Sequence, residues 1–120
     1  MATFSKQILS GSTDGKGILV TATATAGTTI HTGSTTTTTF DELTVYAVNT
    51  STSAVKLTIE YGGVTAPDNH IEQTIPAESG LYLVIPQLII KGNATAVVVR
   101  AFAGTANVIA LYGFVNRITA

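Results

Sequence analysis

The clearest pattern in the chain is an alternation of apolar and polar residues between positions 40 and 86. In residues 55–61, Val, Leu, Ile and Tyr occupy every second position, with Lys, Thr and Glu between them. A period of two is typical of a β-strand that has one face in a core and the other in water. Residues 43–49 form a similar run of β-branched and aromatic side chains, and a polar link at 50–54 separates the two runs. The pattern predicts that these two strands pair as a hairpin.

The other strand candidates are short, and glycine, proline and polar clusters separate them. They lie at residues 17–24, 28–32, 71–75, 81–85, 88–90, 97–102 and 108–115. We expect 71–75 to pair with 81–85, and 97–102 with 108–115, as further antiparallel hairpins. The threonine run 35–39 is compatible with an exposed edge strand, but a loop is favoured because threonine has little to bury there.

These elements predict an all-β fold. Eight or nine short strands, with turn signals every eight to twelve residues and no sustained helical periodicity, indicate a two-sheet antiparallel sandwich of jelly-roll or Greek-key type with about eight strands. A chain of 120 residues makes one domain. We assign residues 16–120 to the sandwich and 1–15 to an N-terminal arm or turn segment.

Charged residues are unusually scarce in the chain. They make up 11% of the chain, less than half of the roughly 25% usual in globular proteins. A folded monomer of this size has about 6,000 Å² of surface, so its charges are thinly spread. Runs 97–99 and 108–111 are apolar at successive positions, which predicts burial on both faces by a partner subunit or by loops of the same chain. We expect self-association or a protein partner, although threonines could instead form the solvent face.

Several classes of function receive no support from composition. Cysteine is absent, which removes thiol nucleophiles, disulfides and zinc ribbons. The six Lys and Arg residues are scattered singly and the net charge is -1, so there is no basic stripe for nucleic acid or for anionic lipid. The N-terminus lacks the apolar run of a signal peptide. We expect a protein without enzymatic activity or cofactor, with neither nucleic acid nor membrane as a partner.

Few residues are candidates for site chemistry. His31 has no carboxylate near it in sequence, whereas Asp68 and His70 lie two residues apart and could ligate a metal ion. Turn formation explains Asp68 without a metal. Asp41 and Glu42 begin a predicted strand, where successive side chains point to opposite faces, so they are expected to be solvated and not to act as an acid–base pair. We therefore predict no catalytic and no metal-binding residues.

Four runs carry a family resemblance: LTVYAVNT at 43–50, AVKLTIEYGG at 54–63, TIPAESG at 74–80 and VIALYGF at 108–114. Their rhythm of strands and turns resembles that of small β-sandwich virion proteins of tailed bacteriophages, above all capsid decoration (cement) proteins. The resemblance implies a homo-oligomer, often a trimer, on the capsid exterior, after assembly in the host cytoplasm. It also implies that the protein stabilises the phage head by binding the major capsid protein and bridging its neighbouring subunits.

Interface candidates are apolar residues in segments too short or irregular to be obvious core. They are Phe4, Ile8, Leu9, Leu88, Ile89 and Ile90. The alternative function is a receptor- or glycan-binding β module of a phage tail fibre or spike, in which Tyr46, Tyr82 or Tyr112 would form a stacking platform. A bacterial structural or adhesive domain unconnected with phage is a third option.

Overall fold

The computed structural model describes residues 2–120, and within that range it contains nine β-strands and no helix. The strands are β1 (Thr3–Ile8), β2 (Ile18–Leu19), β3 (Thr28–Thr32), β4 (Thr39–Asn49), β5 (Val55–Tyr61), β6 (His70–Ile75), β7 (Ser79–Lys91), β8 (Val98–Ala103) and β9 (Ile109–Thr119). The segment assigned to an arm contains β1, which pairs with β9 from Thr3 opposite Thr119 to Ile8 opposite Phe114.

The strands form two antiparallel sheets. The larger sheet has the order β1-β9-β4-β7, with β2 also paired to β9, and the smaller sheet has the order β3-β8-β5-β6. From β3 onward the chain changes sheet at every connection except the one between β5 and β6. This alternation between sheets is the strand connectivity of a jelly roll. The predicted all-β sandwich of two antiparallel sheets is therefore confirmed.

The core lies between the two sheets and follows from the alternation in the sequence. Val55, Leu57 and Ile59 of β5 all point inward and are buried, as their period of two predicts. The larger sheet contributes alternate residues of its central strands, which are Leu43, Val45, Ala47, Ile109, Leu111 and Val115. Burying an aliphatic side chain of this size stabilises the folded state by about 1.5–3 kcal/mol, so this inner layer holds the two sheets together.

The three predicted hairpins are wrong in their pairing. Runs 43–49 and 55–61 lie in different sheets, as β4 and β5, and the same holds for β6 with β7 and for β8 with β9. Packed sheets lie about 10 Å apart, and five extended residues span up to about 17 Å. A link of that length can therefore cross between sheets as easily as it can close a hairpin.

Asn49 shapes the crossing between β4 and β5. Its buried side chain donates from Nδ2 to the carbonyl oxygens of Ser53, at 2.9 Å, and Ile75, at 3.2 Å. Its Oδ1 accepts from the backbone N–H of Ser51 at 3.0 Å and from the Ser51 hydroxyl at 2.9 Å. One side chain thus satisfies the polar groups of the link and ties it to the end of β6.

Several smaller expectations are corrected. Of residues 17–24, only Ile18–Leu19 forms a strand, because the following Ala and Thr residues have little to bury. Runs 81–85 and 88–90 belong to one strand, β7, which has an irregular register near Gln87, whose φ is 61°. The loop expected for the threonine run is confirmed up to the start of β4 at Thr39.

Runs 97–99 and 108–111 each have one core face within the subunit, and burial of the second face by a partner subunit stays a prediction. Val99, Ile109 and Leu111 are buried, whereas Val98 and Ala110, which alternate with them, are only half-buried. These strands have one core face like the others. Their second, apolar face belongs to the outside of the sandwich.

Candidate interaction surface

The outer face of the larger sheet carries mostly apolar side chains, with one predominantly polar row. On β4 and β9 the outward residues alternate with the buried Leu43 and Val115, and cross-strand partners share a face. The register places outward side chains in five rows, which are Phe4-Ile118-Phe40-Lys91, Lys6-Asn116-Glu42-Ile89, Ile8-Phe114-Thr44, Tyr112-Tyr46-Leu83 and Leu19-Ala110-Val48. We call this surface the apolar face. Its charged residues within these rows are Lys6, Glu42 and Lys91.

The apolar face is exposed over a large area. Phe4 has 71% of its surface exposed, Ile89 54% and Leu83 48%. Four neighbouring strand positions about 4.8 Å apart, with central strands of eleven residues, cover roughly 700 Å². Monomeric proteins rarely expose contiguous apolar patches larger than a few hundred Å². One partner in a standard protein interface buries about 800 Å², and the outer face of the larger sheet, polar positions included, is close to that size.

The structure exposes four of the six interface candidates and buries the other two. Phe4 and Ile8 lie on β1 and Ile89 on β7, at opposite edges of the apolar face. Leu88 is exposed at the β7 edge but is the cross-strand partner of the core residue Leu43, and its carbonyl oxygen accepts a hydrogen bond from the Tyr61 hydroxyl at 3.0 Å. The remaining two, Leu9 and Ile90, are 1% and 6% exposed and pack in the core.

Sequence reasoning found only part of the centre of the apolar face. Tyr46 and Tyr112 were candidates for a stacking platform, whereas Phe114 of β9 and Leu83 of β7 are outward residues of strands that the sequence marked only as apolar. The alternation along β9 could have indicated this surface. Ile109 and Leu111 belong to one set of alternate positions and are buried, whereas Ala110 and Tyr112 begin the other set. The Nζ atom of Lys6 lies 4.8 Å from the ring centroid of Phe114, so its charge sits beside an aromatic ring.

A buried charged network lies at one end of the core. Asp41, on β4, is 1% exposed, and its Oδ1 and Oδ2 accept hydrogen bonds from Nε and Nη2 of Arg117 at 2.7 and 2.8 Å. Arg117 is the direct cross-strand partner of Asp41 on β9. Nε2 of His31, from the smaller sheet, lies 2.8 Å from Oδ2 of Asp41. The expectation that Asp41 is solvated is wrong, because two distant strands supply its partners.

This network sets the electrostatics of its surroundings. Burial acts to raise the pKa of Asp41, but hydrogen bonds and charge from Arg117 and His31 outweigh it and lower the pKa below the ordinary value of 3.8. The hydrogen bond to Asp41 raises the pKa of Arg117 against the effect of its own burial. Burial first, and the charge of Asp41 second, raise the pKa of Tyr61 to about 12. The groups are held in fixed charge states, which suits a structural role.

A second buried carboxylate lies on the outer face of the smaller sheet. Glu60 was read as part of the polar, solvent-facing side of β5, and that reading is wrong, since it is 0% exposed. The segment between β2 and β3 folds over it: the backbone N–H of Gly27 donates to Oε1 at 2.6 Å, and the hydroxyl of Thr25 donates to Oε2. His70 lies on β6 with its Nε2 3.6 Å from Oε2 of Glu60.

Gly27 is required for this arrangement. A Cβ at that position would collide with the backbone of Ala101 on β8, so no larger residue can approach the strand as closely. The ring of His70 is held by Phe102, which it meets edge-on with centroids 5.7 Å apart. The Glu60 cluster is therefore built from the loop before β3 and from β5, β6 and β8.

An open groove of about 520 Å³ runs along the edge where β5 and β7 come together. Its lining residues are Tyr61, Gly62, Ile89, Ile90, Lys91, Gly92, Asn93 and Val97. The groove borders the apolar face at Ile89 and carries a cation only at Lys91, among the residues that line it. It extends the apolar face around the edge of the sandwich.

In residues 2–120, no three His, Cys, Asp or Glu side chains come together as a metal-binding group. That part of the chain also contains no helix that is long and apolar enough to cross a membrane.

No protein-family model, no curated protein and no solved structure matches the chain.

Proposed function

We propose that this protein is a structural virion component, a capsid decoration protein that docks on the major capsid protein and stabilises the head of a tailed phage. The observation that carries the proposal is the apolar face, which is large, mostly apolar and exposed in the isolated subunit. Such a surface is stabilised by contact with a matching apolar surface. A jelly-roll sandwich provides a rigid support for it.

A repeating shell suits a binding surface of this kind. Each docking event gains from apolar burial and loses translational and rotational freedom. In the proposal the protein is a homo-oligomer, with a trimer favoured, so that one molecule contacts several shell subunits at once. Linked contacts raise the overall affinity without a need for any new type of contact. The oligomer would bridge neighbouring capsid subunits and so resist expansion of the shell.

The scarcity of charge predicts how attachment responds to salt. Within the five rows of the apolar face, Lys6, Glu42 and Lys91 are the charged residues, and Glu42 already accepts a hydrogen bond from Asn116 at 3.2 Å. Because little charge is available to be screened, attachment to shells should survive an increase from about 0.05 M to about 1 M NaCl at constant pH. Release over that range would contradict docking through the apolar face.

The proposal is tested by co-sedimentation with empty heads assembled from the major capsid protein encoded in the same genome. The variant Leu83→Lys places a charge in the middle of the apolar face, and Val64→Lys places the same charge at an exposed aliphatic residue of the β5–β6 loop. We expect wild type and Val64→Lys to sediment with heads and Leu83→Lys to remain in solution. Light scattering should give about three times the mass of one chain for all three proteins. Equal sedimentation of the two variants, or a monomeric wild type, would contradict the proposal.

A receptor- or glycan-binding module is the second candidate, and one observation favours it. Tyr46 and Tyr112 are direct cross-strand partners on the apolar face, and adjacent aromatic rings can stack on sugar rings. Tyr82 does not join them, because it packs against the core and its hydroxyl accepts from Nε2 of Gln73 at 3.3 Å. A glycan array separates the two functions: specific binding that is lost in Tyr112→Ala would favour the module, and an empty array would favour decoration.

A further inference from the structure

The polar row of the apolar face has its two charges placed symmetrically. Asn116 lies on β9, with Lys6 as its cross-strand partner on β1 and Glu42 as its partner on β4. A positive and a negative side chain therefore lie one strand spacing, about 4.8 Å, to either side of Asn116. Among residues 2–120, neither Lys6 nor Glu42 has an oppositely charged side chain within 4 Å. Both charges are available to a partner.

The two neighbouring rows have the same symmetry, with apolar residues at most positions. On β1, β9 and β4 these rows are Phe4-Ile118-Phe40 and Ile8-Phe114-Thr44. A twofold axis that runs along β9 exchanges the β1 side of each row with its β4 side. Two copies that face each other across this axis would place Phe4 of one copy against Phe40 of the other, and they would meet at Ile118 and Phe114. The surface is therefore complementary to itself.

The charges favour this axis over its neighbours. When the axis runs along β9, Lys6 of each copy faces Glu42 of the other, so the contact contains two pairs of opposite charge. An axis along β4 would place Glu42 against the same residue of the other copy, and an axis along β1 would do the same with Lys6. Like charges that face each other oppose binding, whereas opposite charges fix the register of an interface.

The geometry of packed sheets allows the contact and limits its strength. Sheets that pack face to face lie about 10 Å apart and cross at about 30°. A row about 7 Å from the centre is then displaced sideways by about 3.5 Å, which is less than one strand spacing. The overlap leaves out β7, so each copy covers about three quarters of the face, or roughly 500 Å². A total of about 1,000 Å² is typical of weak, transient contacts.

We propose that a second copy of the chain covers the apolar face in concentrated solution, related to the first by the twofold axis along β9. As regulation of the docking site, this inference rests on the proposed function, in which two trimers would meet face to face until a shell replaces one of them. A transient self-contact shields the apolar surface from other proteins and leaves it available to the shell. The polar row sets the register of the two copies.

Sedimentation equilibrium of the full chain tests the contact between about 1 µM and about 1 mM protein. We expect the mass to double across this range. Lys6→Glu and Glu42→Lys each create two pairs of like charge, so each variant should need at least about a tenfold higher concentration to double its mass. Lys91→Glu makes the same change on β7, outside the overlap, and Glu72→Lys makes it on the smaller sheet. Both controls should behave like the wild type.

An equimolar mixture of Lys6→Glu and Glu42→Lys distinguishes a broken contact from a misfolded chain. In the mixture, each charge of one variant in this row faces an opposite charge of the other. The mixture should therefore double its mass at the wild-type concentration, which neither variant does alone. A wild type that does not double by about 1 mM, variants that double like the wild type, or a mixture that does not recover would overturn the inference.

The head co-sedimentation assay separates this inference from the proposed function. Binding to heads without any doubling of mass would overturn the self-contact and leave docking in place. Doubling of mass without binding to heads would overturn docking and support the self-contact. Leu83→Lys adds a further distinction, because Leu83 lies on β7 outside the overlap: the variant should lose binding to heads and still double its mass.

Discussion

The Nε2 atom of His31 lies 2.8 Å from Oδ2 of Asp41 and so joins the smaller sheet to the larger one through the interior. The other ring nitrogen, Nδ1, accepts the backbone N–H of Ser10 at 3.0 Å. The proton of a neutral imidazole must then be on Nε2, where it is donated to Asp41. Arg117 binds the Asp41 carboxylate from the same sheet as Asp41. Side chains of three strands, β3, β4 and β9, therefore meet at this carboxylate.

Asp41→Asn should destabilise the protein strongly. The change removes the charge that compensates Arg117 and turns an NH₂ group toward donors of Arg117 or His31. Breaking a buried ion pair by removing one partner costs about 3 kcal/mol or more. Glu42→Gln is the matched control, because Glu42 is the next residue on β4 and points outward, and it should change stability by less than about 0.5 kcal/mol. Urea unfolding measures both. Equal midpoints for the two variants would show that the network contributes little.

Stability should fall in acid through Asp41. Its pKa in the folded state lies below the value of about 3.9 found in unfolded chains, so the ionised carboxylate stabilises the folded state. That contribution is complete above the unfolded pKa and is lost as the pH falls through the folded pKa. Urea midpoints of wild type and Asp41→Asn, measured from about pH 6 to about pH 2, should therefore converge at low pH. A gap that stays constant with pH would contradict the assignment.

Tyr61 should lower stability at the alkaline end. Its pKa is raised to about 12 in the folded state, against about 10 in an unfolded chain. The folded state thus keeps a proton that the unfolded state releases. The stabilisation is complete below about pH 10 and is lost as the pH rises toward about 12. An absorbance titration at the phenolate band should show a step near pH 12 that Tyr61→Phe removes. Persistence of that step in the variant would assign it to another tyrosine.

Gly113→Ala should disrupt the pairing of β9 with β4. A Cβ at Gly113 would collide with the carbonyl oxygen of Thr44 and lie 3.1 Å from Cα of Val45, both backbone atoms that cannot move aside. Overpacking of this kind costs about 1–3 kcal/mol. Gly80→Ala is the control, since a Cβ at Gly80 has no atom of residues 2–120 within 4 Å, and it should be neutral or slightly stabilising. Thermal unfolding distinguishes the two, and a neutral Gly113→Ala would show that the strands separate easily.

Asn49→Ala should lower stability through the link between β4 and β5. The change leaves the carbonyl of Ile75 without its buried donor and removes the acceptor of the Ser51 N–H. Unsatisfied buried groups cost about 1–3 kcal/mol. Thr52→Ala, an exposed change in the same link, should have little effect. Chemical denaturation of both variants checks this, and a Thr52→Ala that is as destabilising as Asn49→Ala would show that the link is sensitive at every position.

The sequence located strands well and paired them poorly. Runs 28–32 and 55–61 coincide with β3 and β5, because alternation and β-branched content are local properties of the chain. Pairing depends on residues far apart in sequence. A five-residue link is compatible with either a hairpin or a crossing, and the side chain that decides one crossing, Asn49, bonds to Ile75, 26 residues away.

The two buried carboxylates differ in how far they could be predicted. Asp41 is in phase with Leu43, Val45 and Ala47, so the alternation of β4 already placed it on the core face. Its partner Arg117 is 76 residues away, which is why local reasoning left it solvated. Glu60 is out of phase with the core residues of β5 and is covered by a loop whose path no local pattern indicates. Of the apolar face, the sequence indicated the edge residues Phe4, Ile8 and Ile89 and the central Tyr46 and Tyr112, but not Phe114 or Leu83.

The position of β9 also governs when this protein can fold during synthesis. β9 pairs with β1, β2 and β4, so the centre of the larger sheet cannot form until residues 109–119 have been synthesised. β9 is synthesised after its partners β1, β2 and β4, and long-range pairing of this kind is slow. A nascent chain that is stalled before residue 109 should therefore remain open to proteases, and the sandwich should close only once β9 has been added.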